Sequence, residues 1–142
     1  MTEGASADVI ERLFERLTAR DWTGYGALLS LNAERVGPWG DRMVGRDRYV
    51  EMLAGPLKDG HGTTWDVHQI VYAPDGQSAF ARVTANLGHG LGTPFERFDQ
   101  ILAFTMDDEG MVCRVEVFWQ TPVACSTGFT RKHFFGGGNL SR

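Results

Sequence analysis

Positive charge is scarce in this sequence: 14 Lys and Arg stand against 18 Asp and Glu, for a formal net charge of −4. Phosphate backbones demand a basic field, so nucleic acid is excluded as the main partner. The one basic-aromatic cluster, Arg131-Lys132-His133-Phe134-Phe135, runs into Gly136-Gly137-Gly138 and reads as part of a C-terminal tail. Cysteine is scarce as well. Cys113 and Cys125 have no metal-ligand spacing, and a single pair without a secretion signal reads as two free thiols, with a disulfide still open. His61 and His68 belong to no His/Asp/Glu set with metal spacing, so no metal is expected. No apolar run approaches the roughly 18 residues that span a bilayer. The N-terminus is polar and acidic, without the apolar segment of a signal peptide. The expectation is a soluble cytoplasmic protein with no membrane partner.

What the chain does have suits one domain. Its 142 residues can bury a sizeable core without staples, and 42% of them are hydrophobic. Four Trp and nine Phe suit the walls of an apolar cavity, and equally a well-filled core or a dimer face. Val9, Ile10, Leu13, Phe14 and Leu17 recur at one-face helical spacing, which predicts a helix over residues 6–20 with Ser6 as N-cap. A second helix is predicted from Trp22 to Leu31, capped by Asp21 and weakened by Gly24 and Gly26. Ala33–Trp39 reads as a short strand broken by Gly37-Pro38-Trp39-Gly40. A third helix starts near Gly45 and stops at Gly55-Pro56.

From Thr63 onward the pattern is that of strands: Trp65–Tyr72, Ser78–Leu87, Phe95–Met106 and Met111–Gln120. The last two are joined by Asp107-Asp108-Glu109-Gly110, an acidic turn whose Gly supplies positive φ. The Gly-rich segment Gly88-His89-Gly90-Leu91-Gly92 joins two strands, opens no helix and lacks Gly-Lys-Ser/Thr, so it is no phosphate loop. Helices first and antiparallel strands after give an α+β class.

Several segments carry a resemblance: Arg20-Asp21-Trp22 closing the first helix, Val44-Gly45-Arg46-Asp47 opening the third, Trp65-Asp66-Val67-His68, and the hairpin from Ile101 to Val112. In this order of elements the chain resembles the nuclear transport factor 2-like superfamily, and within it the SnoaL-like polyketide cyclases and ketosteroid isomerases. The resemblance covers about residues 7–121, leaving 122–142 as a tail of the single domain. It implies a cone-shaped barrel, with three helices packed on a strongly curved sheet and a pocket between them. It also implies a homodimer through the sheet's outer face. Isomerases of this kind use an Asp base, a Tyr and a protonated Asp. Carried over, these positions fall on Gly37, Leu13 and Leu102, so that mechanism is not expected here.

Other polar groups then come forward. With Leu102 facing the pocket, alternation puts Glu96, Phe98, Gln100 and Phe104 on the same face. The matching face of the preceding strand is taken as Phe80, Arg82, Thr84 and Asn86. Glu96 in an apolar site would have a raised pKa and shuttle protons near neutral pH, steadied by Arg82; alternatively the two form a cross-strand ion pair. Gln100 and Asn86 are candidate donors to a developing enolate oxygen. His89 is either an acid–base group on its loop or an exposed histidine. Asp41 reads either as a carboxylate at the cavity mouth, with Trp39 stacking on a ring, or as a surface turn residue. Trp65, Val115, Val117 and Trp119 would line the pocket, or the core.

These readings converge on a cofactor-independent enzyme of secondary-metabolite biosynthesis. It would cyclise or isomerise a hydrophobic substrate in an aromatic-lined pocket. A non-catalytic binder of a hydrophobic ligand is the first alternative and an epoxide hydrolase, drawing on Asp41, Asp66 and Glu96, the second.

Overall fold

The computed structural model describes residues 2–57, 64–87 and 96–120. Helix α1 (Thr2–Thr18) buries the predicted face: Val9, Ile10, Leu13, Phe14 and Leu17. It begins before Ser6, which therefore lies inside the helix rather than at its cap; Ala5 and Ala7 favour helix on either side. The helix stops where Arg20 takes φ 58 and the Asp21 N–H reaches back to the Arg16 carbonyl at 2.9 Å, a Schellman-type closure. Asp21 then caps α2 (Trp22–Gly26), its side chain accepting from the Gly24 N–H at 2.9 Å.

Helix α2 is shorter than its sequence predicts, because Leu29 already belongs to a strand. The Val112 N–H donates to the Leu28 carbonyl at 2.9 Å, and Leu29 is fully buried in the core. Sheet bonding and burial outweigh the local helical tendency there. Strand β1 (Leu29–Val36) turns through Gly37-Pro38-Trp39-Gly40 into β2 (Arg42–Val44), a strand the sequence pattern did not reveal. Gly37 leaves room in this turn for the Asp41 carboxylate: a Cβ there would lie 2.4 Å from one of its oxygens, and that exposed side chain would have to turn aside. Helix α3 (Arg46–Leu57) runs slightly past Gly55-Pro56.

The remaining strands fall close to expectation: β3 (Thr64–Tyr72), β4 (Ser78–Leu87), β5 (Glu96–Met106) and β6 (Val112–Gln120). The sheet order is β2-β1-β6-β5-β4-β3, with β1 parallel to β6 and every other pairing antiparallel. Among the described residues it is an open six-stranded sheet, not a closed barrel. It is nonetheless strongly bent. Side chains from β1, β6, β5, β4 and β3 line one small cavity, whereas five flat strands would span about 19 Å. The class is α+β, with three helices on the concave face. Among the described residues no helix is long and apolar enough to cross a membrane.

One face assignment is corrected by the register. Ala81 pairs with Leu102, Ala79 with Phe104 and Ala85 with Phe98, and residues paired directly across a sheet share a face. The concave face of β4 is therefore its alanine row. Phe80, Arg82, Thr84 and Asn86 project from the opposite, outer face. Arg82 and Asn86 do not look into the pocket.

The hairpin between β5 and β6 closes as the sequence requires. Gly110 takes φ 81, and the Asp107 carboxylate accepts from the N–H groups of Glu109 and Met111, both at 2.9 Å. Asp107→Ala should cost about 1–2 kcal/mol, read as a lower urea midpoint with an unchanged slope. Asp107→Asn should retain most of that stability. An unchanged midpoint in the alanine variant would show that the turn closes without the carboxylate.

Candidate functional site

An apolar cavity of about 180 Å³ lies between the concave face of the sheet and the helices. Helix α1 supplies Leu13, Phe14 and Leu17, and α3 supplies Tyr49 and Leu53. From the sheet come Leu102, Phe104, Val115, Val117, Ala85 and Trp65. The volume lies below the roughly 300–1,000 Å³ of sites that take drug-sized ligands, and so suits a compact molecule of one or two rings. Along β6 the lining residues Val115 and Val117 are buried, and Trp119 toward its far end is exposed. At that end Trp119 stacks on Phe98 at 5.1 Å between ring centroids, and Trp39 meets Trp119 edge-on at 6.1 Å. These three rings form a row beside the cavity rather than its lining. Arg20 lies over the ring of Trp65 at 5.6 Å, a cation–π contact that holds that indole in place.

The polar groups of the described lining are few: Arg35, Gln100 and the phenols of Tyr25 and Tyr49. All four can donate hydrogen bonds, and none is a carboxylate or a histidine. Tyr25 and Tyr49 are 5% and 3% exposed, and their hydroxyls face each other at 3.4 Å, longer than an ordinary O–H···O bond. Arg35 extends from β1 on the inner face, where it is paired in register with Val115. Its one ion pair among the described residues is with Asp41, at 3.8 Å.

Of the residues expected from sequence, Leu13, Trp65, Gln100, Leu102, Phe104 and Val117 lie in the cavity wall. Asp41 sits on the surface after the β1–β2 turn, beside Arg35. Arg82 and Asn86 are on the outer face. The Asn86 amide donates there to Asp66 at 3.0 Å. Arg82 borders a shallow depression with His68 and Asp99. In that depression His68 Nε2 and Thr84 Oγ1 are 2.7 Å apart, and Thr84 donates to Asp99 at 2.8 Å. His89 and the side chain of Glu96 lie outside the described residues. Sequence reasoning missed Arg35, Tyr25 and Tyr49. A signal for Arg35 existed, since it stands two residues before Gly37 within the strand expected over Ala33–Trp39, and alternation would put both on one face.

Burial is the largest effect on both phenols. It lifts Tyr25 well above its ordinary value of 10.0, with Tyr49 adding to the rise and Arg35 opposing it. Burial likewise raises Tyr49, against the hydrogen bond from Tyr25 and the charge of Arg35. The folded protein therefore keeps these protons at a pH where the unfolded chain has released them. Their contribution to stability is complete below about pH 10 and is lost as pH rises through the folded-state values. Urea midpoints should fall between pH 9 and about pH 11, and Tyr25→Phe should fall less steeply than the parent. Equal slopes in the two proteins would show that the phenol is not the group responsible.

No curated protein matches the chain significantly. Among solved structures, a candidate polyketide cyclase from Xanthomonas campestris superposes with a TM-score of 0.73 at 17% identity, over 84% of this chain and 93% of that one. SalBIII, an epoxide hydrolase/cyclase-like enzyme of pyran ring formation in the polyether salinomycin, gives 0.73 at 19% identity, over 85% and 95%. A candidate ketosteroid isomerase from Kribbella flavida gives 0.70 at 23% identity, over 99% and 93%. Likeness at these identities establishes the shared fold. The SnoaL-like domain matches residues 10–115, from the second half of α1 to the start of β6, and includes all of the described cavity lining but Val117; the chain belongs to the SnoaL-like domain family.

Proposed function

We propose that this protein is a cofactor-independent enzyme of small-molecule biosynthesis that cyclises or isomerises a compact hydrophobic substrate. The observation that carries this reading is the cavity: among the described residues, an apolar wall whose four polar groups can all donate hydrogen bonds and include no carboxylate. Such a lining favours a transition state in which negative charge develops on a substrate oxygen, as in enolisation. The apolar wall contributes by folding the substrate, since orientation alone supplies several kcal/mol toward ring closure. Glu96 and His89 are the proposed proton carriers.

Two other readings stay in view. A non-catalytic binder is favoured by the absence of a carboxylate or histidine from the described lining. An epoxide hydrolase needs paired carboxylates to activate water. It draws little support from Asp66, which meets Asn86 on the outer face, or from Asp41, which is largely exposed beside Arg35.

One experiment separates all three. The small molecule that co-purifies with the chain is identified by native mass spectrometry and returned to fresh protein in labelled water. Cyclisation or isomerisation gives a product of unchanged mass, hydrolysis adds labelled oxygen, and a binder returns the molecule intact. On the converted substrate, Glu96→Gln or His89→Ala should lower turnover by about a hundredfold, as expected for a lost acid–base group. Full activity in both would leave shape and donors as the whole of the catalysis.

The partner proposed for the outer face is a second copy of this chain. Phe80 and Phe118 are 48% and 53% exposed there, with Val71 paired to Phe80 and Ile101 paired to Phe118. A contiguous apolar patch of this kind marks an association surface. Sedimentation should give a dimer, and Phe118→Lys should shift it to a monomer. A parent protein that sediments as a monomer at micromolar concentration would rule this interface out.

A further inference from the structure

Arg35 is poorly matched to its surroundings. Its side chain is 21% exposed and lines a cavity that is otherwise nearly all hydrocarbon. Its partner Asp41 is 61% exposed and stands at 3.8 Å, well beyond the roughly 2.7–2.9 Å of a charge-assisted hydrogen bond. A guanidinium in this position has most of its five donors uncommitted among the described residues.

The phenols next to it add another donor. Tyr25 and Tyr49 share one contact, in which either oxygen can be the donor. Two hydroxyl protons and one bond leave a second O–H without an acceptor among the described residues. Arg35 lies close enough for its charge to act on both phenols. The cavity therefore gathers a cation and a spare phenolic proton against an apolar wall.

We infer that the molecule this cavity takes carries a carboxylate, held by Arg35 and the free hydroxyl of the Tyr25–Tyr49 pair. The inference rests on the reading of the cavity as the ligand site, and it specifies the ligand's chemistry. A carboxylate fits better than a more highly charged anion: one planar guanidinium matches its two oxygens in a bidentate fork, and no second cation lines the described cavity. An ester or alcohol of the same shape would leave the guanidinium unmatched and forfeit the charged bonds. The anchor also orients the ligand. Arg35 is level with Phe104 through Val115, while Gln100 lies four residues along β5, about 13 Å away along the strand. A molecule held at Arg35 points its apolar end toward Gln100 and the aromatic row.

The test is calorimetric titration of the full chain with 2-naphthoic acid and with its methyl ester, at pH 7.5. The acid should bind at least about tenfold more tightly than the ester, and Arg35→Gln should remove that gap while leaving the ester within about twofold. Asp41→Asn, which removes the competing carboxylate at the surface, should tighten acid binding and leave the ester unchanged. That second variant decides the matter if Arg35→Gln does not fold. Equal affinity for acid and ester in the parent, a gap that survives Arg35→Gln, or an Asp41→Asn variant with unaltered acid affinity would overturn the carboxylate and leave the cavity as an apolar site. Failure of both probes to bind at millimolar concentration would overturn the reading of the cavity itself, and the carboxylate with it.

Discussion

The pairing of β4 with β5 is the constraint on which the rest of the molecule depends. Along this ladder small residues of β4 face large ones of β5: Ala79 opposite Phe104, Ala81 opposite Leu102 and Ala85 opposite Phe98. The alanine row keeps the concave face of β4 low. Helix α1 lowers Ile10, Leu13 and Phe14 onto the sheet, with Phe14 meeting Phe104 edge-on at 6.1 Å. Protein interiors normally collapse onto any free volume. Here the bent sheet holds one wall and helices α1 and α3 hold the other, so the space above Ala85 remains open. The same register sends Phe80, Arg82 and Thr84 outward, because a strand's side chains alternate strictly between faces. A single choice of partner thus creates both the cavity and the apolar outer surface.

Alternation also sorts the charges. Glu34 and Arg35 are neighbours on β1 and project from opposite faces. Outward, Glu34 is flanked by Arg42 and Arg114, and Arg114 also reaches Glu116 at 3.0 Å. That network is well matched in sign and partly open to water, where its net contribution to stability is small. Inward, Arg35 has a distant and exposed partner. Folding alone supplies no reason to place a cation beside two buried phenols, since its desolvation is costly and largely uncompensated. The contrast between two consecutive residues is the strongest sign that the cavity is shaped for something other than stability.

Much of this was legible in the sequence because the relevant elements have a strong period. The apolar face of α1, the strand β4 and the acidic hairpin carry helical or alternating patterns that survive in the fold. The α2–β1 boundary was not legible. Leu28, Leu29 and Leu31 suit either a helix or a strand, and the choice is made by a distant strand through the Val112–Leu28 bond. The face of Arg82 was misread for a related reason. Each strand shows its own alternation, but the phase between two strands depends on where their connecting loop closes. Leu87 pairs with Glu96, which sets odd positions of β4 against even positions of β5. The polar stripe of β4 suggested a pocket, while its uninterrupted apolar positions were the better guide to the core. Tyr25 and Tyr49 come from different helices, and no local pattern announces that their hydroxyls will meet.

The partition of polar groups between the two faces bears on chemistry more than membership of a family does, because one fold hosts many reactions. The described residues do contain a chain that looks suited to proton transfer, running from His68 through Thr84 to Asp99. It arises at a bulge in β3, where the register with β4 shifts between Val67 and Gln69 and turns His68 out beside Thr84. It lies on the outer face, however, with the sheet between it and the cavity, and cannot reach a ligand held there. Among the described residues the carboxylates of these strands are thus directed away from the pocket, and Arg35 and Gln100 toward it. The described lining carries one cation and no carboxylate, so it favours a ligand with a negative oxygen over an ammonium, while Gln100 and the phenol oxygens can still accept from a neutral donor. The polar part of that described lining is Arg35, Gln100 and two phenols, and the carboxylate inferred above rests on them.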